Sequence, residues 1–109
     1  MAKELPRSLT SYFAAKNRRD IDGMLVPFSP DATVRDEGEI HRGPAAIRAW
    51  METTTRKYRV TVEIADVTAN GDAWRVAGIV SGNFPGSPAT LHYNFTLAGD
   101  RIEKLEIGA

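Results

Sequence analysis

The sequence predicts a single α+β domain in which three short helices from the N-terminal half cover one face of a strongly curved, mixed or antiparallel sheet and enclose a pocket. Three observations carry that expectation. Apolar residues recur at helical spacing through the first half of the chain and switch to strict alternation from Tyr58 onward. Gly78 and Gly82 sit inside the longest alternating run, where glycine marks a bulge or a sharp bend. The 109 residues suffice for one hydrophobic core and not for two, so residues 1–109 read as one domain. Helices followed by a run of strands pack as two layers, with the helices gathered on one side.

Each element has its own signal. Pro6 suits the start of a helix, and Leu5, Leu9, Tyr12 and Phe13 follow at i, i+4, i+7 and i+8. Asn17 to Asp20 end that helix, and Asp20 is placed to cap a second, short one that offers Ile21, Met24, Leu25 and Phe28 to the interior. Pro27 and Pro30 stop it. Ala32 to Asp36 reads as a strand, Glu37-Gly38-Glu39 as a turn and Ile40 to Arg42 as the return strand. Gly43-Pro44 opens a third helix whose apolar side carries Ile47, Trp50, Met51 and Thr54, while Arg48, Glu52 and Arg56 face water.

In the second half Tyr58, Val60, Val62 and Ile64 alternate with polar residues, and Asn70-Gly71 signals a tight turn. The next strand sets Trp74, Val76, Val80 and Phe84 on one side. The segment Phe84 to Pro88 forms a rigid lip, and Leu91, Tyr93, Phe95 and Leu97 then alternate inward. A last strand carries Ile102, Leu105 and Ile107, with a change of parity that implies a bulge.

Fourteen basic and fourteen acidic residues cancel, and no Lys/Arg cluster is interleaved with aromatics. That balance argues against a nucleic-acid or membrane-surface partner, since both need a concentrated positive field. The absence of cysteine excludes disulfides, thiol nucleophiles and thiolate metal sites, and suits a reducing compartment. The start of the chain lacks the apolar core of a leader, and no apolar run approaches the ~20 residues that span a bilayer. The expectation is a cytoplasmic protein. His41 and His92 are far apart in sequence without metal-ligating neighbours, so no metal site is expected.

The chemistry centres on Asp36. Val34 and Asp36 are two residues apart in an extended run and leave the same face, which sets a carboxylate beside an apolar neighbour. Loss of solvation under Trp50 would raise its pKa and make it a proton acceptor for a carbon acid. Equally, Asp36 can begin the turn toward Gly38 and accept backbone N–H bonds there.

Three segments carry a resemblance that covers essentially the whole chain: YFAAKNRRDIDG from Tyr12 to Gly23, FSPDATVRD from Phe28 to Asp36, and HRGPAAIRAW from His41 to Trp50. In this order they resemble the nuclear transport factor 2-like superfamily, within it the SnoaL-like branch. The resemblance implies a cone of curved sheet wrapped by three helices, and a homodimer formed through the sheet's outer face. Ketosteroid isomerase, of the same superfamily, is similar over these pieces. Its general base falls on Asp36 and its oxyanion-hole tyrosine on Tyr12. Its second oxyanion donor is a protonated acid; here no carboxylate lies between Leu91 and Asn94, and Tyr93 is the inward-facing candidate. A further tyrosine of that enzyme falls on Met51.

The resulting expectation is a small-molecule pocket protein, a cofactor-independent isomerase or cyclase for a hydrophobic carbonyl compound, with Asp36 and Tyr12 as catalytic residues. Phe13, Met24, Phe28, Trp50, Phe84 and Phe95 would supply an apolar lining, joined by Val34, Met51 and Tyr93, or else serve as ordinary core. Two other readings stay open: a non-catalytic dimeric binding protein for a lipophilic metabolite, and a structural dimer whose cavity is filled by side chains.

Overall fold

The computed structural model describes residues 5–108; Met1 to Glu4, on which the reading of the chain's start falls, and Ala109 lie outside the described residues. Helix α1 (Arg7–Arg18) begins directly after Pro6, buries Leu9, Tyr12 and Phe13, and stops where Arg19 turns left-handed at φ 57°. Asp20 caps the short α2 (Ile21–Leu25), accepting the Gly23 N–H at 3.0 Å as its position implied. Strands β1 (Phe28–Asp36) and β2 (Glu39–Arg42) form a hairpin that leads into α3 (Gly43–Tyr58), which has proline in its first turn. Strands β3 (Thr61–Asn70), β4 (Ala73–Ser81), β5 (Ala89–Ala98) and β6 (Arg101–Gly108) complete the chain.

The six strands make one sheet in the order β2-β1-β6-β5-β4-β3. Every neighbouring pair is antiparallel except β1 and β6, which run parallel, so the sheet is mixed. It is curved and does not close on itself. Register breaks supply the bends: one between Phe28 and Thr33 in β1, one between Ile64 and Asp66 in β3, and one where Thr96 and Leu97 meet Lys104 and Ile102. The last is the parity change expected in the final strand.

Five places differ from the sequence reading. Phe28 is the first residue of β1 and not part of α2, which ends at Leu25 with Val26 as its cap, ahead of Pro27. Strand β1 also runs through Pro30, which the sheet tolerates because the register breaks there. Tyr58 closes α3 instead of opening β3; Arg59 takes the left-handed cap at φ 49°, and this resets the parity that linked Tyr58 to Val60. Ile64 is 39% exposed, since the bulge beside it turns the side chain out of the core. Phe84 lies beyond the end of β4, in the lip.

The helices lie on one face of the sheet, and their aromatic residues meet in a cluster of edge-to-face pairs. Tyr12 packs against Phe13, Phe28 and Phe95 at centroid distances of 5.2, 5.7 and 5.8 Å. Such pairs contribute ~0.5–1.5 kcal/mol each beyond their buried area. A polar clamp fixes the other end of α1. The Asn17 side-chain amide donates to the Val62 carbonyl at 3.0 Å, and the Val62 N–H donates back to Asn17 Oδ1 at 2.8 Å. Asn17 thus ties the last turn of α1 to β3 and holds the adjacent Lys16 in place. No described helix is long and apolar enough to cross a membrane.

Candidate functional site

Because the sheet bends away from short helices, the layers separate at one end and leave a cavity of about 390 Å³. That volume falls in the ~300–1,000 Å³ range usual for small-molecule sites. The end of α1 contributes Lys16 and Arg19, the end of β1 Asp36 and Glu37, and α3 contributes Trp50, Thr54, Thr55 and Tyr58. Val80, Leu91, Tyr93 and Ile107 form the sheet wall, and Phe84 and Pro85 the lip.

Asp36 stands on this wall. The Trp50 indole N–H donates to its Oδ2 at 3.1 Å, which fixes the carboxyl group against α3. Burial raises its pKa above the ordinary carboxylate value, and the charge of Glu37 adds to the rise. The Trp50 bond, the Lys16 charge and the Glu37 backbone amide act the other way. Asp36 thus combines two positions: it ends β1 at the turn and faces the cavity. Its tryptophan donor is a role that spacing alone did not disclose.

The other residues singled out in the sequence separate into two groups. Trp50, Phe84 and Tyr93 line the cavity with Asp36. Phe13, Met24, Phe28, Val34, Met51 and Phe95 do not; all are buried in the packed core behind the wall. The reason is geometric, since helical periodicity reports which side faces the sheet but not where along the helix the layers part. Tyr12 belongs to the core as well. It is fully buried, its hydroxyl has no hydrogen-bond partner among the described residues, and it is absent from the cavity wall. Burial, then the nearby Tyr93 and Asp36, raise its pKa far above that of a free phenol. Tyr93 is also raised by burial and by Asp36, but it reaches the wall.

Replacement of Tyr12 by phenylalanine is expected to leave stability unchanged or to raise it by ~1 kcal/mol, because an unpaired buried hydroxyl is removed. Urea unfolding measures this.

Sequence reasoning missed much of the cavity lining, Lys16, Tyr58 and Arg19 among it. Lys16 lies four residues after Tyr12, on the helix face that also carries Leu9 and Phe13, and a cation on an apolar face is the signal that could have found it. Its Nζ sits 5.9 Å from the Tyr12 ring centroid, and burial lowers its pKa to about 8 against an opposing pull from Asp36. Tyr58 ties the rim together: its hydroxyl donates to Glu37 Oε1 at 2.8 Å, and its ring meets Phe84 edge-on at 6.3 Å. Arg19 closes the same rim by donating to the Arg59 carbonyl at 2.8 Å.

His41 packs near Trp50 with ring centroids 6.0 Å apart. Among the described residues no group of three or more His, Asp or Glu is placed to hold a metal ion.

Comparison with known proteins bears on this arrangement. No curated protein matches the sequence. A solved structure of a proposed polyketide cyclase from Sinorhizobium meliloti is 42% identical, with a TM-score of 0.91 over 94% of each chain. A protein with a ketosteroid isomerase-like fold from Catenulispora acidiphila, solved in complex with trimethylamine, is 20% identical with a TM-score of 0.84 over 97% of this chain and 87% of that one. The epoxide hydrolase/cyclase-like enzyme SalBIII, described for pyran ring formation in the polyether salinomycin, is 22% identical with a TM-score of 0.81 over 93% and 86%. The last two likenesses speak for the fold alone. The SnoaL-like domain model matches residues 9–103, nearly the whole chain, and with the cone of bent sheet around a pocket it shows that this protein belongs to the SnoaL-like family.

Proposed function

We propose that the protein is a cofactor-independent isomerase or cyclase that moves a proton on a hydrophobic carbonyl compound, with Asp36 as the base. The observation that carries this reading is Asp36 itself, a partly desolvated carboxyl group held by the Trp50 N–H on the wall of a largely apolar cavity. In that setting the carboxylate is a stronger base than in water, which is what abstraction from a weakly acidic C–H demands. Tyr93, on the same wall, is placed to polarise the substrate oxygen, a part that the family resemblance gives to Tyr12. The 42% identity to a proposed polyketide cyclase supports a substrate with several carbonyl groups.

Exchange of hydrogen for deuterium tests this directly. In D2O the protein is expected to exchange the α-hydrogens of an apolar 1,3-diketone faster than buffer does, followed by proton NMR, and an exchange rate equal to that of buffer would remove the catalytic reading. Tyr93→Phe should slow the exchange on the order of tenfold, while Tyr12→Phe should leave it nearly unchanged.

One observation favours a second reading, a dimeric binding protein for a lipophilic metabolite. Among the described residues the wall offers no carboxylic acid other than Asp36 and Glu37, so with Asp36 as the base the strand of Tyr93 supplies no acid as a second oxyanion donor. That reading expects the ligand to raise the melting temperature without any proton exchange.

A further inference from the structure

Lys16 plays no part in the proton-transfer scheme, yet it sets a cation on the cavity wall. It lies at the last turn of α1 on the wall of the cavity, half-buried, next to the fully buried Tyr12. Of the ion pairs within 4.0 Å among the described residues, none includes Lys16. Asp36 shares the cavity but is not paired with it, being occupied by Trp50. A lysine set against apolar surface, with Asp36 in the same cavity but no described carboxylate within ion-pair distance, gives up its proton more readily than a solvated one.

The other described lysines are not in this position. Lys104 is paired with Glu106 at 3.0 Å, and Lys57 is exposed, its pKa raised by a hydrogen bond to Tyr58.

We propose that Lys16 is a reactive amine that condenses reversibly with aldehydes and unhindered ketones held in the cavity, forming an imine on the protein. The step needs no oxidant or reductant. The amine lone pair attacks the carbonyl carbon, the carbonyl oxygen takes up a proton, and the nitrogen loses one to give a carbinolamine. The hydroxyl group then leaves as water after accepting a second proton, while the nitrogen lone pair forms the C=N bond, and the iminium nitrogen gives up its remaining proton to leave the imine. One amine and one carbonyl yield one imine and one water, and hydrolysis reverses it.

Asp36, on the same wall and with a raised pKa, is placed to supply the proton to the departing hydroxyl and to take it back. The groups that share the cavity with Lys16 and set its charge are Arg19 from its own helix, Asp36 and Glu37 from the end of β1, Tyr58 from α3 and Tyr93 from β5. With its pKa lowered to about 8, the amine is substantially free in mildly basic solution. The inference rests on the cavity being a carbonyl-compound site, and does not require that Asp36 turn over a substrate.

Reductive trapping decides it. The intact protein is incubated with cinnamaldehyde and sodium cyanoborohydride, and the adduct is located by intact-mass measurement and peptide mapping. Lys16 is expected to be modified at least ~10-fold more than Lys57 or Lys104, with a rate that rises through pH about 8. Lys16→Arg is expected to abolish the selective adduct at an unchanged melting temperature; if that variant does not fold, Lys16→Met, which keeps the apolar stem, takes its place. Equal labelling of all lysines, or a selective adduct that persists without Lys16, overturns the proposal. Wild-type protein separates the two schemes: a Lys16 adduct in protein that exchanges no deuterium supports the imine without the isomerase reading, and no adduct in protein that does exchange deuterium refutes the imine.

Discussion

Asp36→Asn is expected to lower the rate of α-hydrogen exchange by ~10²–10⁴ while leaving the helices and sheet intact. Asparagine has the same shape and retains a carbonyl oxygen for the Trp50 N–H, which now reaches Asp36 at 3.1 Å. What it lacks is the capacity to hold a proton taken from carbon. The expectation on stability has a definite sign. Because burial raises the folded pKa of Asp36 above its unfolded value of 3.8, the folded state binds the proton more tightly. The stability this contributes is fully present below the unfolded pKa and is lost as pH rises through the folded pKa. At neutral pH the ionised side chain is therefore a burden, and Asp36→Asn should melt higher than wild type there, with the advantage shrinking toward pH 4. Circular dichroism melts across pH and NMR exchange rates on the same samples test both halves. Undiminished exchange in the variant would eliminate Asp36 as the base.

The stabilisation and the lost activity belong to one cause. A carboxylate is made more basic by denying it water, and the same denial makes its charge costly to the fold. The wall around Asp36 keeps that cost moderate: Trp50 donates one hydrogen bond, and the charge on Lys16 lies in the same cavity. The pH dependence of exchange should show it too, with the acidic limb displaced above the usual carboxylate range.

Much of this was legible in the residues because local signals there coincide with tertiary need. Asp20 caps α2 wherever α2 packs, and Gly43-Pro44 starts α3 for reasons internal to the chain. Val34 and Asp36 share a face by strand geometry alone, which is why the acid could be placed before any packing was known. The failures have a different source. Tyr58 has the parity of β3, and only the left-handed turn at Arg59 separates it from that strand. Phe13, Met24 and Met51 are apolar and inward, as lining residues are, but so is the core. The line between core and cavity is drawn by where the sheet bends away from α1 and α3. That depends on bulges and on contacts between segments distant in sequence, such as Asn17 with Val62. Lys16 was overlooked because its neighbours in the cavity, Asp36 and Tyr93, arrive from strands far along the chain.

Substitution of Gly82 should show how strictly the lip and the cavity depend on that bend. A Cβ atom at this position would stand 2.6 Å from the Tyr58 carbonyl oxygen and 2.8 Å from Val60 Cγ1. The first of these is backbone, which cannot rotate aside. In the native structure the absence of a side chain lets the Asn83 N–H donate to that same carbonyl at 2.7 Å, while the Gly82 N–H donates to Ser87 Oγ at 3.0 Å. The lip is thereby fixed against the end of α3, where Phe84 meets Tyr58. Gly82→Ala must push the two apart, at a cost of ~1–3 kcal/mol typical of overpacking, and it should weaken ligand binding as well because Phe84 and Tyr58 both line the cavity. Gly86, in the same lip, is the control. Its φ of +85° makes alanine strained, yet nothing lies within 4 Å of a Cβ there. Gly86→Ala is thus expected to cost ~1–2 kcal/mol of backbone strain and to leave ligand affinity unchanged. Urea titrations and ligand-induced melting shifts on both variants measure the contrast, and equal loss of affinity in the two would show that the lip's general flexibility, and not the close approach at Gly82, shapes the cavity mouth.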